Sequence, residues 1–112
     1  FASENKWLLT DVLRNDWGFE GYVMSDWGAV NDRVKGLEAG LDLEMPGSNG
    51  TNDALIMEAV KNGTLKEEVL DQAVERILNI IYKYADHRAP QEFTMEKTMK
   101  RHAVLRKNLW SF

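Results

Sequence analysis

Apolar residues at Trp7, Leu8, Leu9, Val12 and Leu13 fall at the three-and-four spacing of a helix face, and the pattern stops at Gly18. A helix is predicted over 4–15. The run Tyr22-Val23-Met24 then reads as a short buried strand over 22–25. Val30, Val34 and Leu37 return to helical spacing and predict a helix over 29–39, with Gly40 suited to the left-handed position after its last turn. Leu41, Leu43 and Met45 alternate with Asp42 and Glu44, a period of two that predicts a second strand over 41–44, ended by Pro46 and Gly47. A polar loop leads to a helix over 53–61, closed by Asn62-Gly63. Thr64 and Glu67 have the spacing of a capping box for the longest helix, 65–85, whose apolar face is Val69, Leu70, Ala73, Val74, Ile77, Leu78, Ile81 and Tyr84.

The order helix, strand, helix, strand, helix, helix implies α/β architecture with parallel strands and helical crossovers. Two parallel strands cannot hide their own edges, and parallel strands are normally covered on both faces. The chain therefore reads as two β/α units that need further units beside them, a segment of something longer. Beyond Asp86 the periodicity weakens, so residues 86–112 are read as a linker and tail ending in a polar helix.

Composition narrows the class. The 112 residues are 44% hydrophobic and 29% charged with a net charge of -4, which describes a soluble globular chain without the basic face that nucleic acid requires. No apolar run is long enough to cross a membrane. With no cysteine, neither a disulfide framework nor a thiolate metal site is available. His87 and His102 lie on polar segments without partners at ligand spacing, so no metal site is expected. The stretch EMPGSNG has glycines but no phosphate-loop lysine, and no nucleotide cofactor is expected. The Asn-Gly-Thr sequences at Asn49 and Asn62 read as chance occurrences of a glycosylation signal.

One acid stands out. Asp26 follows the apolar run directly and is followed by Trp27. A carboxylate at a strand end must be paired, solvated or useful. It either caps the next helix or sits, rigid and ionised, where a nucleophile needs to be. Trp27 has a matching pair of readings, a core side chain or an indole face for the C–H face of a sugar. Trp7, Trp17 and Trp110 lie on helix or tail positions and read as packing residues.

The stretch VLRNDWGFEGYVMSDWGAV, followed by GLEAGLDLEMPG, resembles the signature segment of glycoside hydrolase family 3, the β-glucosidase and β-xylosidase family. The resemblance is carried by Val12, Leu13, Arg14, Asp16, Gly21, Val23, Met24, Ser25 and Asp26, and AVKNGTLKEEVLDQAVERILNIIYKY resembles the closing helices of the family's barrel. Tyr22 departs from the smaller apolar residue that is commoner there. The resemblance implies that residues 1–85 are the C-terminal portion of the catalytic barrel domain: the last two β/α units of a (β/α)8 TIM-type barrel plus closing helices. Asp26 would then be the nucleophile of a retaining glycosidase at the C-terminal end of the seventh strand, with Trp27 lining the sugar site.

The resemblance further implies a small-molecule β-glycoside or oligosaccharide as substrate and neither cofactor nor metal. The partners it implies are the rest of the barrel and a second domain. That domain would supply the acid/base carboxyl group. Glu44, ending the neighbouring strand, is a weaker candidate for substrate contact. The tail RHAVLRKNLWSF begins like the family's linker at His102 and then departs from it. A different class of reading stays open beside the enzyme: a catalytically inactive α/β fragment stable only by self-association.

Overall fold

A computed structural model describes residues 1–87 together with Met99, Lys100 and Ala103. Most of the expected linker and tail, with His102 and Trp110, lies outside the described residues. The chain opens with a 3-10 turn, Ala2–Glu4, and an N-terminal helix, Trp7–Asp16. Three α-helices follow, α1 (Arg33–Ala39), α2 (Thr51–Lys61) and α3 (Glu67–Tyr84), and a closing 3-10 turn, Ala85–His87.

The N-terminal helix is wound wider than an α-helix, with i→i+5 bonds such as Trp17 N–H to the Val12 carbonyl at 3.0 Å. Asn5 takes up one of its orphan amides, accepting from Leu8 N–H at 3.1 Å. Its inner side buries Leu9 against Ala39 and Leu41, with Val23 and Val30 packed alongside. Here the chain turns at Gly40, whose φ of 109° is left-handed. A Cβ at Gly40 would also meet Thr10 Oγ1 at 3.0 Å, and Thr10 itself donates to the Ala39 carbonyl at 2.8 Å. Only glycine fits that conformation and that gap without displacement.

The second core lies where α1, α2 and α3 meet: Leu37, Ile56, Ala59, Leu65 and Ala73, with Val34, Val60, Val69 and Leu70 around them. Leu41 in the first core and Leu65 in the second are each 1% exposed. Full burial of such a side chain is worth roughly 1.5–3 kcal/mol.

Three expectations are corrected. The segments 22–25 and 41–44 do not form continuous strands; they meet in one parallel bridge, Met24 to Leu43. The sense of pairing is the expected one. Ser25 N–H donates to the Leu43 carbonyl at 2.9 Å, and Leu43 N–H donates to the Val23 carbonyl at 3.1 Å. Pairing fades beyond these bonds because, among the described residues, no further strand continues the ladder on the outer edge of either segment. The helix predicted from residue 29 starts at Arg33, because Asp32 is extended and its carboxylate accepts Lys35 N–H at 3.1 Å, fixing the first turn there. The capping box at Thr64 and Glu67 is absent: α3 starts at Glu67 after an extended Lys66, and Thr64 N–H instead donates to Asn62 Oδ1 at 2.9 Å.

The apolar face of α3 is wet over its second half, with Val74, Leu78 and Ile81 between 41% and 54% exposed. Trp7 and Trp17, expected to pack, are 65% and 73% exposed. Large apolar side chains left in water on this scale mark surfaces of interaction. No helix among the described residues is long and apolar enough to cross a membrane.

Candidate active site

The parallel bridge delivers Asp26. Ser25, just before it, is buried and held twice: by its backbone bond to Leu43 and by its hydroxyl. That hydroxyl accepts Met45 N–H at 2.9 Å and donates to the Met45 carbonyl at 3.1 Å. One residue later the chain leaves the pairing and Asp26 is exposed. Its Oδ1 accepts Trp27 N–H at 2.7 Å and its carbonyl accepts Ala29 N–H at 3.1 Å, a tight turn that Gly28 completes at a φ of 73°. The helix cap that Asp26 was one reading for is filled by Asp32. Trp27 stands beside Asp26 with 63% of its surface exposed, so it is not a core side chain of this segment.

The loop after Asp26 is fastened to the N-terminal turn. Ser3 Oγ donates to the Ala29 carbonyl. Glu4 Oε1 accepts Asn31 N–H at 2.9 Å and Asp32 N–H at 2.8 Å. These amides, Asp32's first and Asn31's second, favour the ionised form and hold the Glu4 carboxyl below its ordinary value.

Beneath the bridge lies a buried ionic cluster. Asp42 is 4% exposed, and its Oδ2 accepts from Arg14 at 2.6 Å and from Val23 N–H at 2.8 Å, while Oδ1 accepts from Arg76 of α3 at 2.8 Å. Arg14 also donates to the carbonyls of Gly21 at 2.9 Å and Gly40 at 3.0 Å. Burial lowers the pKa of Arg14, against the attraction of Asp42. Arg33, likewise buried, donates to the carbonyls of Leu41 at 3.1 Å and Asp42 at 2.9 Å, and burial lowers its pKa too. Both are arginines, whose planar fork serves several fixed acceptors at once.

Glu44 follows the bridge on the other segment. Its carboxylate takes both contacts of the Asn52 side-chain amide, at 2.8 and 3.0 Å, and borders a cavity of about 450 Å³ with Arg33, Ser48, Asn49 and Asp53. The structure thus satisfies Glu44 with an internal donor. Among the described residues no group of three or more histidine, aspartate or glutamate side chains is placed to hold a metal ion.

The sequence reading singled out Asp26, Trp27 and Glu44 and passed over Asp42, Arg76, Arg33 and Glu4. The alternation of Asp42 with Leu41 and Leu43 predicts a strand but assigns Asp42 no role, and in the structure Leu41 and Asp42 are both buried. Alternation marks a wet face only where one side of a strand meets water, and here both sides are covered. The one local signal is an acid inside an apolar run; the arginines that bind its side chain lie far off in sequence, at Arg14 and Arg76.

Residues 1–80 match the glycosyl hydrolase family 3 N-terminal domain. The chain belongs to glycoside hydrolase family 3. It is 62% identical over 82 residues to the thermostable beta-glucosidase B of Acetivibrio thermocellus, a match covering 73% of this chain and 11% of that protein. It is 49% identical over 82 residues to the exo-alpha-(1->6)-L-arabinopyranosidase of Bifidobacterium breve, with the same two shares. Among solved structures, beta-glucosidase 3B from Thermotoga neapolitana in complex with alpha-D-glucose superimposes with a TM-score of 0.76 at 42% identity, covering 89% of this chain and 15% of that one. The chain spans about one-tenth of the length of the relatives it matches.

Proposed function

We propose that this chain is the nucleophile segment of a retaining β-glycoside hydrolase of the β-glucosidase type, acting on terminal β-linked sugars. The observation that carries the reading is the position of Asp26: an exposed carboxylate one residue beyond a parallel bridge, beside an exposed indole, in a chain of family 3. In this reading the two bridged segments and their helices are the last two β/α units of a (β/α)8 barrel. The C-terminal strand ends, where Asp26 lies, are the working face of such a barrel.

The chemistry follows from the groups. One Asp26 oxygen accepts Trp27 N–H at 2.7 Å, which helps orient the carboxylate. Asp26 attacks the anomeric carbon, the bond to the aglycone oxygen breaks, and that oxygen takes a proton from an acid/base carboxyl outside this chain. Water, deprotonated by the same group, then releases the sugar and restores Asp26. Trp27 offers its indole face to the C–H face of the pyranose.

The rest of the barrel and the second domain are the partners that cover the exposed half of α3 and the free edges of the bridge. A copy of the chain could cover the same stripe, which is why self-association stays a second reading for the segment alone. The test of the first reading is covalent labelling of the intact hydrolase with a 2-fluoro glucoside. The label is expected on Asp26, and Asp26→Ala is expected to lower turnover of an aryl β-glucoside by orders of magnitude with the fold retained. A label on another residue, or near-normal turnover in Asp26→Ala, refutes it.

A further inference from the structure

The hydrogen bonds of the Asp42 side chain go to Val23, Arg14 and Arg76, and none goes to Asp26. Its backbone nevertheless joins its side chain on one target. Asp42 N–H donates to the Val23 carbonyl at 3.0 Å, and Asp42 Oδ2 accepts Val23 N–H at 2.8 Å. Asp42 thus contacts both backbone polar groups of Val23 and shares only the carbonyl, which also accepts Leu43 N–H at 3.1 Å. In a regular parallel ladder a backbone carbonyl of the 41–43 segment would take that N–H; here the Asp42 carboxylate takes it, and two arginines hold the carboxylate.

From Val23 the segment runs through Met24 and the doubly held Ser25 to Asp26, so the fixed end of this short extended piece is Asp42's. We propose that Asp42 is a positioning residue for glycosyl transfer: with Arg14 and Arg76 it sets the register and tilt of residues 23–25 and so the approach of the Asp26 carboxylate to the anomeric carbon. The inference rests on the reading of Asp26 as nucleophile.

The charge matters as much as the shape. Asp42 serves three donors with two oxygens, two at Oδ2 and one at Oδ1. An asparagine of the same shape has one acceptor oxygen and would turn an N–H₂ toward an arginine, donor against donor. The segment would shift to relieve that contact. A displacement of about 1 Å between reacting groups costs on the order of 100-fold in rate.

The experiment uses the intact hydrolase and follows the rate of 2-fluoro glucoside labelling together with kcat and KM on an aryl β-glucoside. Asp42→Asn is expected to slow labelling and kcat by about 100-fold with KM within about threefold, because binding of the sugar does not pass through this carboxylate. Arg76→Gln is the second variant, useful if Asp42→Asn does not fold, since the Arg76 side chain is 27% exposed and its loss is the milder one. The same kcat-selective loss, about tenfold, is expected from it. Wild-type labelling rates in both variants, or a loss confined to KM or to melting temperature, overturn the inference and leave Asp42 a stabilising residue only. A label on another residue in the unsubstituted enzyme is a separate result, seen before any variant is made, and removes the reading of Asp26 and this inference with it.

Discussion

Replacing Arg14 by alanine tests the buried cluster from the other side. Arg14 has a side chain 10% exposed and makes three contacts: Gly21 carbonyl at 2.9 Å, Gly40 carbonyl at 3.0 Å and Asp42 at 2.6 Å. Arg14→Ala leaves Asp42 with Arg76 and Val23 N–H, and leaves two carbonyls short of a donor. Removing one partner of a buried ion pair costs about 3–5 kcal/mol. The surviving Arg76 contact places the cost near the lower end, about 3 kcal/mol, which at 1.4 kcal/mol per tenfold is on the order of 100-fold in a local opening equilibrium. Hydrogen exchange of the intact hydrolase reads this directly, because Val23, Ser25, Asp42 and Leu43 all donate backbone bonds in the bridge region. Exchange at these amides is expected to rise by about that factor while amides of α2 keep their protection. Arg14→Lys is expected to fall between, since an ammonium cannot reach three fixed acceptors together. Exchange within about threefold of the unsubstituted protein would refute the reasoning. Equal loosening of α2 would show that the cluster holds the whole fold and not the segment that carries Asp26.

Two further outcomes are expected. Because the folded pKa of Glu4 is lowered from 4.5, its stabilisation of the 26–32 loop is present above that value and is lost as pH falls through the lower one. Protection of the Asn31 and Asp32 amides should therefore drop on acidification below about pH 4.5, and Glu4→Ala should show the loosened state at every pH, measured by amide exchange in nuclear magnetic resonance. The 112-residue chain alone should show a solution mass above its 12.9 kDa by light scattering and no turnover of an activated aryl β-glucoside. A 12.9 kDa monomer whose turnover Asp26→Ala abolishes would contradict both parts.

The helices were legible in the sequence because each carries its own signal, an apolar stripe bounded by glycine or a small polar residue. The four expected helices exist at nearly the expected places. Where the boundaries moved, a single side chain decided it: Asp32 caps α1 four residues into the expected helix, and Asn62 takes the Thr64 amide on which a capping box was read. The strands were legible in place and in parallel sense but not in extent, because a strand's length depends on what pairs with it and the described residues supply only one neighbour for each. Asp26 and Trp27 stand out in the sequence because the acid and the indole interrupt an apolar run at its end. Asp42 was missed because its burial is settled by Arg14 and Arg76, which are 28 residues before it and 34 after it. Nothing in a local pattern reports a contact at that range.

That separation sets a clock on the making of the protein. Synthesis adds about 5–20 residues per second, so roughly 2–7 s pass between the appearance of Asp42 and that of Arg76, the 34 residues that divide them. During that interval the carboxylate has Arg14 and the Val23 amide but not its second arginine, and a half-satisfied charge keeps its water. Residues 22–45 therefore close over Asp42 only after α3 has begun to emerge, and the loop that carries Asp26 is among the last parts of the segment to become fixed. A synonymous codon change that slows translation between Asp42 and Arg76 lengthens the exposure of the unclosed bridge, with its free backbone edges and apolar faces, to every other newly made chain nearby.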